Sequence, residues 1–221
     1  MLSWLVFTAL SLLIPAFTHE VTSDDYDDYD GYYYYGQVTA PKDNATRKPL
    51  TNIPKNVVYP EISEFYNTSE KVWVYTTTKK SNETCTVDDV NHTSLINVHM
   101  TRYYFLNGAI ENLTIEAYFE VHPSISPTTY TYNEIPLRIP ERHIYRFETL
   151  VYVSDNNECG IFYINYHGNE QGKYDWFELR VWNSSLEKVP DMECFHRFSE
   201  ITRSQPKTFN YTSVCQCIFR V

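Results

Sequence analysis

The chain has 221 residues and a formal net charge of −10, which argues against nucleic acid and against an anionic membrane surface as partners, because both demand clustered Lys and Arg. Acidity of this size is an ordinary solubility feature and favours cationic partners only weakly. Five cysteines, together with N-x-S/T sequons at Asn44, Asn67, Asn82, Asn91, Asn112, Asn183 and Asn210, point to an oxidising, secretory compartment and an extracellular location.

Residues 1–18 form an uncharged apolar run ending in small residues and Pro15, the pattern of a secretory signal peptide and shorter than the roughly 20 residues needed to cross a bilayer. No later segment is apolar enough to span a membrane. Residues 19–56 carry D-D-Y-D-D-Y-D-G-Y-Y-Y-Y-G and then a Pro, Lys, Asn and Thr stretch. Without periodic Val, Ile or Leu this segment reads as a disordered acidic arm. Tyr26 and Tyr29, flanked by aspartates, are the best-placed candidates for sulfation, which would make the arm a docking strip for a basic protein. An unmodified solvated tail is the alternative.

From residue 57 to 221 the pattern is that of one folded domain. E-I-S-E-F-Y spaces Ile62, Phe65 and Tyr66 for one face of a short helix. Runs rich in β-branched and aromatic residues follow: K-V-W-V-Y-T-T-T, S-L-I-N-V-H-M-T-R-Y-Y-F-L, L-T-I-E-A-Y-F-E-V, T-T-Y-T-Y-N, H-I-Y-R-F-E-T-L-V-Y-V-S, G-I-F-Y-I-N-Y and W-F-E-L-R-V-W. Asn, Gly, Pro and Asp clusters separate them, as in antiparallel strands joined by turns. About eight such strands make an all-β barrel or sandwich. Cys194, Phe195, Phe198 and Ile201 fall at helical spacing, placing a C-terminal helix outside the sheet, and the chain then runs as a strand or arm to Cys215.

No G-x-S-x-G, H-E-x-x-H, P-loop or G-x-G-x-x-G occurs, and nothing sets a nucleophile beside a base, so the chain reads as a binding protein and not an enzyme, with no cofactor and no metal site. The segment from Cys159 to Cys194 holds two strands around G-N-E-Q-G, the second placing Glu178 among aromatics. That is a plausible wall for a ligand.

Several strings, in their order and spacing, resemble the tick salivary lipocalins of the histamine-binding type: K-V-W-V-Y before Cys85, F-E-T-L-V-Y-V-S-D-N-N-E-C ending at Cys159, G-N-E-Q-G-K-Y-D-W-F-E-L, V-P-D-M-E-C at Cys194 and Y-T-S-V-C at Cys215. The resemblance covers roughly residues 60–217. It implies an eight-stranded antiparallel lipocalin barrel, closed at one end, with a short N-terminal helix and a C-terminal helix packed outside. It also implies Cys85–Cys215 and Cys159–Cys194 bridges, with Cys217 left over, and the sequestration of small host inflammatory mediators, above all histamine. Within it Glu178 matches a ligand acid, Phe147 a cavity aromatic and Glu116 a second acid.

The chain departs from that pattern at Thr149, where the family has an acid, and at Arg180, where it has a tryptophan. The acidic loop used for a second amine is shortened to K-K-S-N-E-T. Strand alternation puts Trp176, Glu178, Arg180 and Trp182 on one face, and Phe147, Thr149, Val151 and Val153 on one face. If both point inward, Arg180 neutralises Glu178, and the cavity then suits a lipid carboxylate such as a leukotriene or fatty acid better than an amine. An outward Glu178–Arg180 salt bridge is the plain alternative. Glu116 shares strand parity with Asn112, where a glycan would have to face solvent; a bulge between them, or Asn112 lying in the turn, would restore an inward Glu116. The expected function is a secreted binder of small mediators, most simply a biogenic amine such as histamine. Its alternatives are a lipid-mediator binder and an interaction module in which the acidic arm docks a basic host protein.

Overall fold

The computed structural model describes residues 59–122, 131–139, 144–168, 172–187, 191–203 and 205–219. The signal-peptide reading, the acidic arm, Tyr26, Tyr29 and Asn44 therefore lie outside the described residues. Eight antiparallel strands run as β1 (Lys71–Thr77), β2 (Glu83–Thr93), β3 (Asn97–Leu106), β4 (Ala109–Tyr118), β5 (Glu134–Ile139), β6 (Ile144–Val153), β7 (Cys159–Gly168) and β8 (Gly172–Trp182). Their hydrogen-bonded order is β4-β3-β2-β1-β8-β7-β6-β5. The two end strands meet at the Glu120–Glu134 bridge, whose backbone exchanges bonds of 2.9 and 3.0 Å, so the sheet curls into a nearly closed barrel. A two-residue β9 (Phe209–Asn210) adds to β1.

Two strands differ from the sequence reading. β2 escapes notice because Asp88, Asp89, Asn91 and His92 interrupt any apolar alternation. The strand expected in T-T-Y-T-Y-N begins later, at Glu134. Thr131 to Asn133 are not in a strand, because Asn133 is a joint: its carbonyl accepts from Leu150 and its side chain accepts the His122 amide at 3.0 Å.

The expected short helix is α1 (Ile62–Tyr66), with Ile62, Phe65 and Tyr66 fully buried. It packs across the barrel end where β1 begins and β8 finishes, held by Trp182 donating to the Phe65 carbonyl and Thr93 donating to that of Tyr66. Gly160 permits this approach. A Cβ there would stand 2.8 Å from the Phe65 ring and 3.0 Å from Leu150.

A single turn, α2 (Asn183–Glu187), follows β8, and the expected outer helix is α3 (Met192–Thr202). Asp191 caps α3 by accepting the Glu193 amide at 2.9 Å. The stretch leading to Cys215 includes the expected strand, β9, and turns into a 3-10 helix over Ser213–Phe219.

Period-2 alternation divides the apolar residues into two layers. Inside the barrel and under α1 lie Val72, Val98, Met100, Ile115, Ala117, Ile135, Leu150, Phe162, Ile164 and Trp176. Outside, beneath α3 and the 3-10 helix, lie Trp73, Val87, Ile161, Phe177, Leu179, Val181, Phe198 and Ile218. Both expected disulfides form, Cys85–Cys215 and Cys159–Cys194, and tie this outer layer to the barrel. The second closes a loop of about 36 residues, worth roughly 3–4 kcal/mol in the chain-entropy model. Cys217 is free and exposed.

Candidate functional site

The inner face of the barrel carries a charged floor. On β8 the alternation aims Trp176, Glu178 and Arg180 inward while Phe177, Leu179 and Val181 face α3. Arg180 donates Nε–H and Nη2–H to Glu178 Oε2, at 2.9 and 2.5 Å, and the Trp176 indole donates to Glu178 Oε1 at 2.7 Å. Arg180 also reaches Glu148 of β6 at 2.7 Å and the Tyr66 hydroxyl of α1 at 2.7 Å, and lies 4.3 Å from the Phe162 ring centroid.

Arg102 of β3 completes the floor from the opposite wall. It grips Asp88 of β2 through Nε and Nη2, at 2.5 and 2.9 Å, and Glu148 through Nη1 and Nη2, at 2.5 and 3.0 Å. Tyr66 donates its hydroxyl to Asp88, and Arg146 of β6 pairs with Glu148 as well. Three carboxylates, Asp88, Glu148 and Glu178, thus face three guanidiniums, Arg102, Arg180 and Arg146. Charges this deep persist because each is paired and hydrogen-bonded.

Burial alone would push the Glu148 carboxyl up, but the guanidiniums of Arg102 and Arg180 outweigh it and hold the carboxyl down at about 2. Burial likewise opposes charge on Arg180 and Arg102. For Arg180, Glu148 and the other acidic neighbours reverse it, and for Arg102, Asp88 and Glu148 do, so both stay firmly protonated. The Tyr66 hydroxyl is raised by burial and remains a neutral donor.

Exposure differs between neighbouring inward residues of the floor. Side-chain exposure goes from 1% for Arg180 to 9% for Glu178 on β8, and from 0% for Glu148 to 17% for Arg146 on β6. Above the floor Tyr166, Tyr174 and Trp176 form an aromatic wall, with Tyr166–Tyr174 centroids 4.7 Å apart and Tyr174 stacked on Trp176 at 5.5 Å. Within this arrangement the buried Arg146 Nε–H has no acceptor among the described residues. An aromatic wall over a donor-bearing floor can hold a flat or acyl body with a polar head. Among the described residues no cluster of three His, Cys, Asp or Glu side chains is set to hold a metal, and no helix is long and apolar enough to cross a membrane.

Of the residues expected to form the site, Trp176, Glu178 and Arg180 are brought together. Phe147 and Thr149 are not. Glu148 reaches the inner cluster, so its neighbours fall on the other face of β6; Thr149 donates instead to Glu134 at 2.9 Å, and His122 stands 3.9 Å from the same carboxylate oxygen. Phe147 pairs in register with Pro136 and Asn165. Val151 stays on the outer side, and a bulge between Leu150 and Tyr152 returns Val153 to the inner layer. Glu116 is exposed and alternates with the buried Ile115 and Ala117, which corrects its expected place in the cavity. It shares the outward face with exposed Asn112.

Asp88, Arg102, Glu148, Arg146 and Tyr66 were missed by sequence reasoning. A signal existed for Arg102, which keeps strand parity with buried Val98 and Met100. Of the described sequons, Asn67, Asn82, Asn91, Asn112 and Asn210 are exposed, while Asn183 is half-buried.

No family model matches the chain, and no curated protein matches it in sequence. Among solved structures it is similar to the AM182 serotonin complex, at 15% identity and a TM-score of 0.51, with 72% of this chain and 94% of that one covered. The fold is a lipocalin fold. A second solved structure, the siderocalin Ex-FABP, described as functioning through dual ligand specificities, aligns over 63% of this chain and 83% of its own at 6% identity and a TM-score of 0.43.

Proposed function

We propose that this lipocalin binds a small amphipathic molecule in its barrel, and that the preferred ligand carries an anionic head on an apolar or aromatic body, as a fatty acid or leukotriene does. The carrying observation is the state of the floor. Glu178 accepts from Arg180 and Trp176, whereas the buried Arg146 Nε–H has no acceptor among the described residues. A buried donor without an acceptor costs about 1–3 kcal/mol, which a ligand carboxylate would recover. The uncharged apolar run at residues 1–18, the two disulfides and the exposed sequons support extracellular sequestration of such mediators as the role.

An amine reading stands second, favoured by the Tyr166, Tyr174 and Trp176 wall around Glu178. The AM182 structure, described as a serotonin complex, is consistent with it. Calorimetry of the glycosylated protein against cis-parinaric acid, serotonin and histamine separates the two. Binding of the acyl anion, weakened at least tenfold by Arg146→Gln, is expected. Amine binding abolished by Glu178→Ala, with no acyl binding, would replace the first reading by the second.

A further inference from the structure

Lys79 lies in the turn between β1 and β2, at the barrel end opposite α1, and its backbone is fixed on both sides. Its amide donates to Thr77 Oγ1 at 3.0 Å, and its carbonyl accepts from Thr208 Oγ1. The neighbouring Thr78 exchanges two 3.0 Å bonds with the Phe177 backbone. From this anchored position the side chain, only 11% exposed, sets Nζ 5.0 Å from the centroid of the Trp176 ring. It is ion-paired there with Glu83 at the start of β2.

An aromatic face beside a carboxylate, sheltered in the mouth of a barrel, is the chemistry that recognises an ammonium ion. In this chain that place is filled from within. Building on the reading of the barrel as a small-molecule site, we infer that Lys79 is a specificity-determining residue, a tethered ammonium that occupies the cation site made by Trp176 and Glu83 and so excludes free amines.

A tethered group competes at an effective concentration in the millimolar range or above, and it brings no entropy cost of association with it. An amine entering from solution must displace it, unpairing Lys79 from Glu83 in a poorly hydrated place. A ligand with an anionic head meets the opposite situation, since Lys79 and Arg146 both present positive charge near the aromatic wall.

The test is tryptamine, a monocation with an aromatic body, titrated by calorimetry into the wild-type protein and into Lys79→Met, Lys79→Arg and Lys79→Met/Glu83→Gln variants. Cis-parinaric acid fluorescence is measured on each in parallel. Lys79→Met should bind tryptamine at least tenfold more tightly than wild type. Lys79→Arg, which keeps a cation over the ring, should bind as weakly as wild type, and the double variant should lose the gain because the carboxylate is gone. If parinarate binds but Lys79→Met leaves tryptamine affinity unchanged, or the double variant keeps the gain, the role of Lys79 is overturned while the barrel remains a ligand site. If parinarate and tryptamine bind to none of the proteins, the small-molecule reading fails, and the inference with it.

Discussion

The two faces of β8 invert the usual arrangement of a soluble barrel strand. Its inward residues, Trp176, Glu178 and Arg180, are polar or carry a polar handle, whereas its outward residues, Phe177, Leu179 and Val181, are apolar and dry beneath α3. The comparison separates two ways of holding one sheet. The outer layer is held by burial of apolar area, which tolerates volume-conserving change. The inner floor is held by mutual charge compensation, in which each group depends on the presence of the others.

The largest expected effect breaks that compensation. Glu148→Leu leaves Arg102, Arg180 and Arg146 short of their shared carboxylate and should cost about 4 kcal/mol, within the range for removing one member of a buried ion pair. Phe198→Ala, at a fully buried position of α3, should cost about 3 kcal/mol through lost contacts and a residual cavity. Urea unfolding monitored by tryptophan fluorescence measures both. The distinguishing result is rescue: adding Arg146→Met to Glu148→Leu should recover at least half of the loss. Arg146 pairs with Glu148 and with no other carboxylate among the described residues, so the charge left unpaired is removed with its partner, whereas Arg102 keeps Asp88. A double variant less stable than the single one would mean that the floor is not a charge-compensated unit.

A smaller effect distinguishes the faces by pH. Glu148 is held at about 2, below its ordinary value of 4.5, because the two guanidiniums outweigh its burial. A group depressed on folding contributes stability that is fully present above its unfolded pKa and is lost as pH falls through the folded one. The melting temperature should therefore drop progressively from about pH 4.5 toward pH 2. Glu148→Gln should melt lower at neutral pH but show a flatter acid limb. An acid limb as steep as that of wild type would assign the loss to other carboxylates.

The same contrast explains what was legible in the sequence. Strands rich in Val, Ile, Tyr and Phe announce themselves because the outer layer and the closed end need apolar area, and α3 is readable from Cys194, Phe198 and Ile201 at helical spacing. β2 is hidden because its contribution to the floor is Asp88, next to Asp89, and β5 because Pro136 interrupts a short run. On β8 the face was readable, since Phe177, Leu179 and Val181 form an apolar set needing cover. On β6 both faces mix polar and apolar residues. Only the register with β7 and the Leu150–Tyr152 bulge show that Glu148, and not Phe147 or Thr149, meets Arg180. Charge partners far apart in sequence, such as Arg102 with Glu148 or Tyr66 with Arg180, leave no local pattern at all.

The smallest effect concerns the junction between the two layers. Asn183 heads an N-S-S sequon, but its side-chain oxygen accepts from the Trp73 indole at 3.0 Å and from Gln216 at 3.3 Å, so the residue fastens the C-terminal 3-10 helix and β1 to α2. Loss of the sequon and loss of this acceptor are separable. Asn183→Asp removes the sequon while keeping an oxygen for Trp73, and should change unfolding free energy by less than about 0.5 kcal/mol, as for a surface substitution. Asn183→Ala removes both and should cost about 1–2 kcal/mol, because the N–H of the buried Trp73 indole loses its partner. Equal losses in the two variants would show that the glycan, and not the hydrogen bond, stabilises this corner. A loss confined to Asn183→Ala would make the position a structural acceptor that happens to spell a sequon.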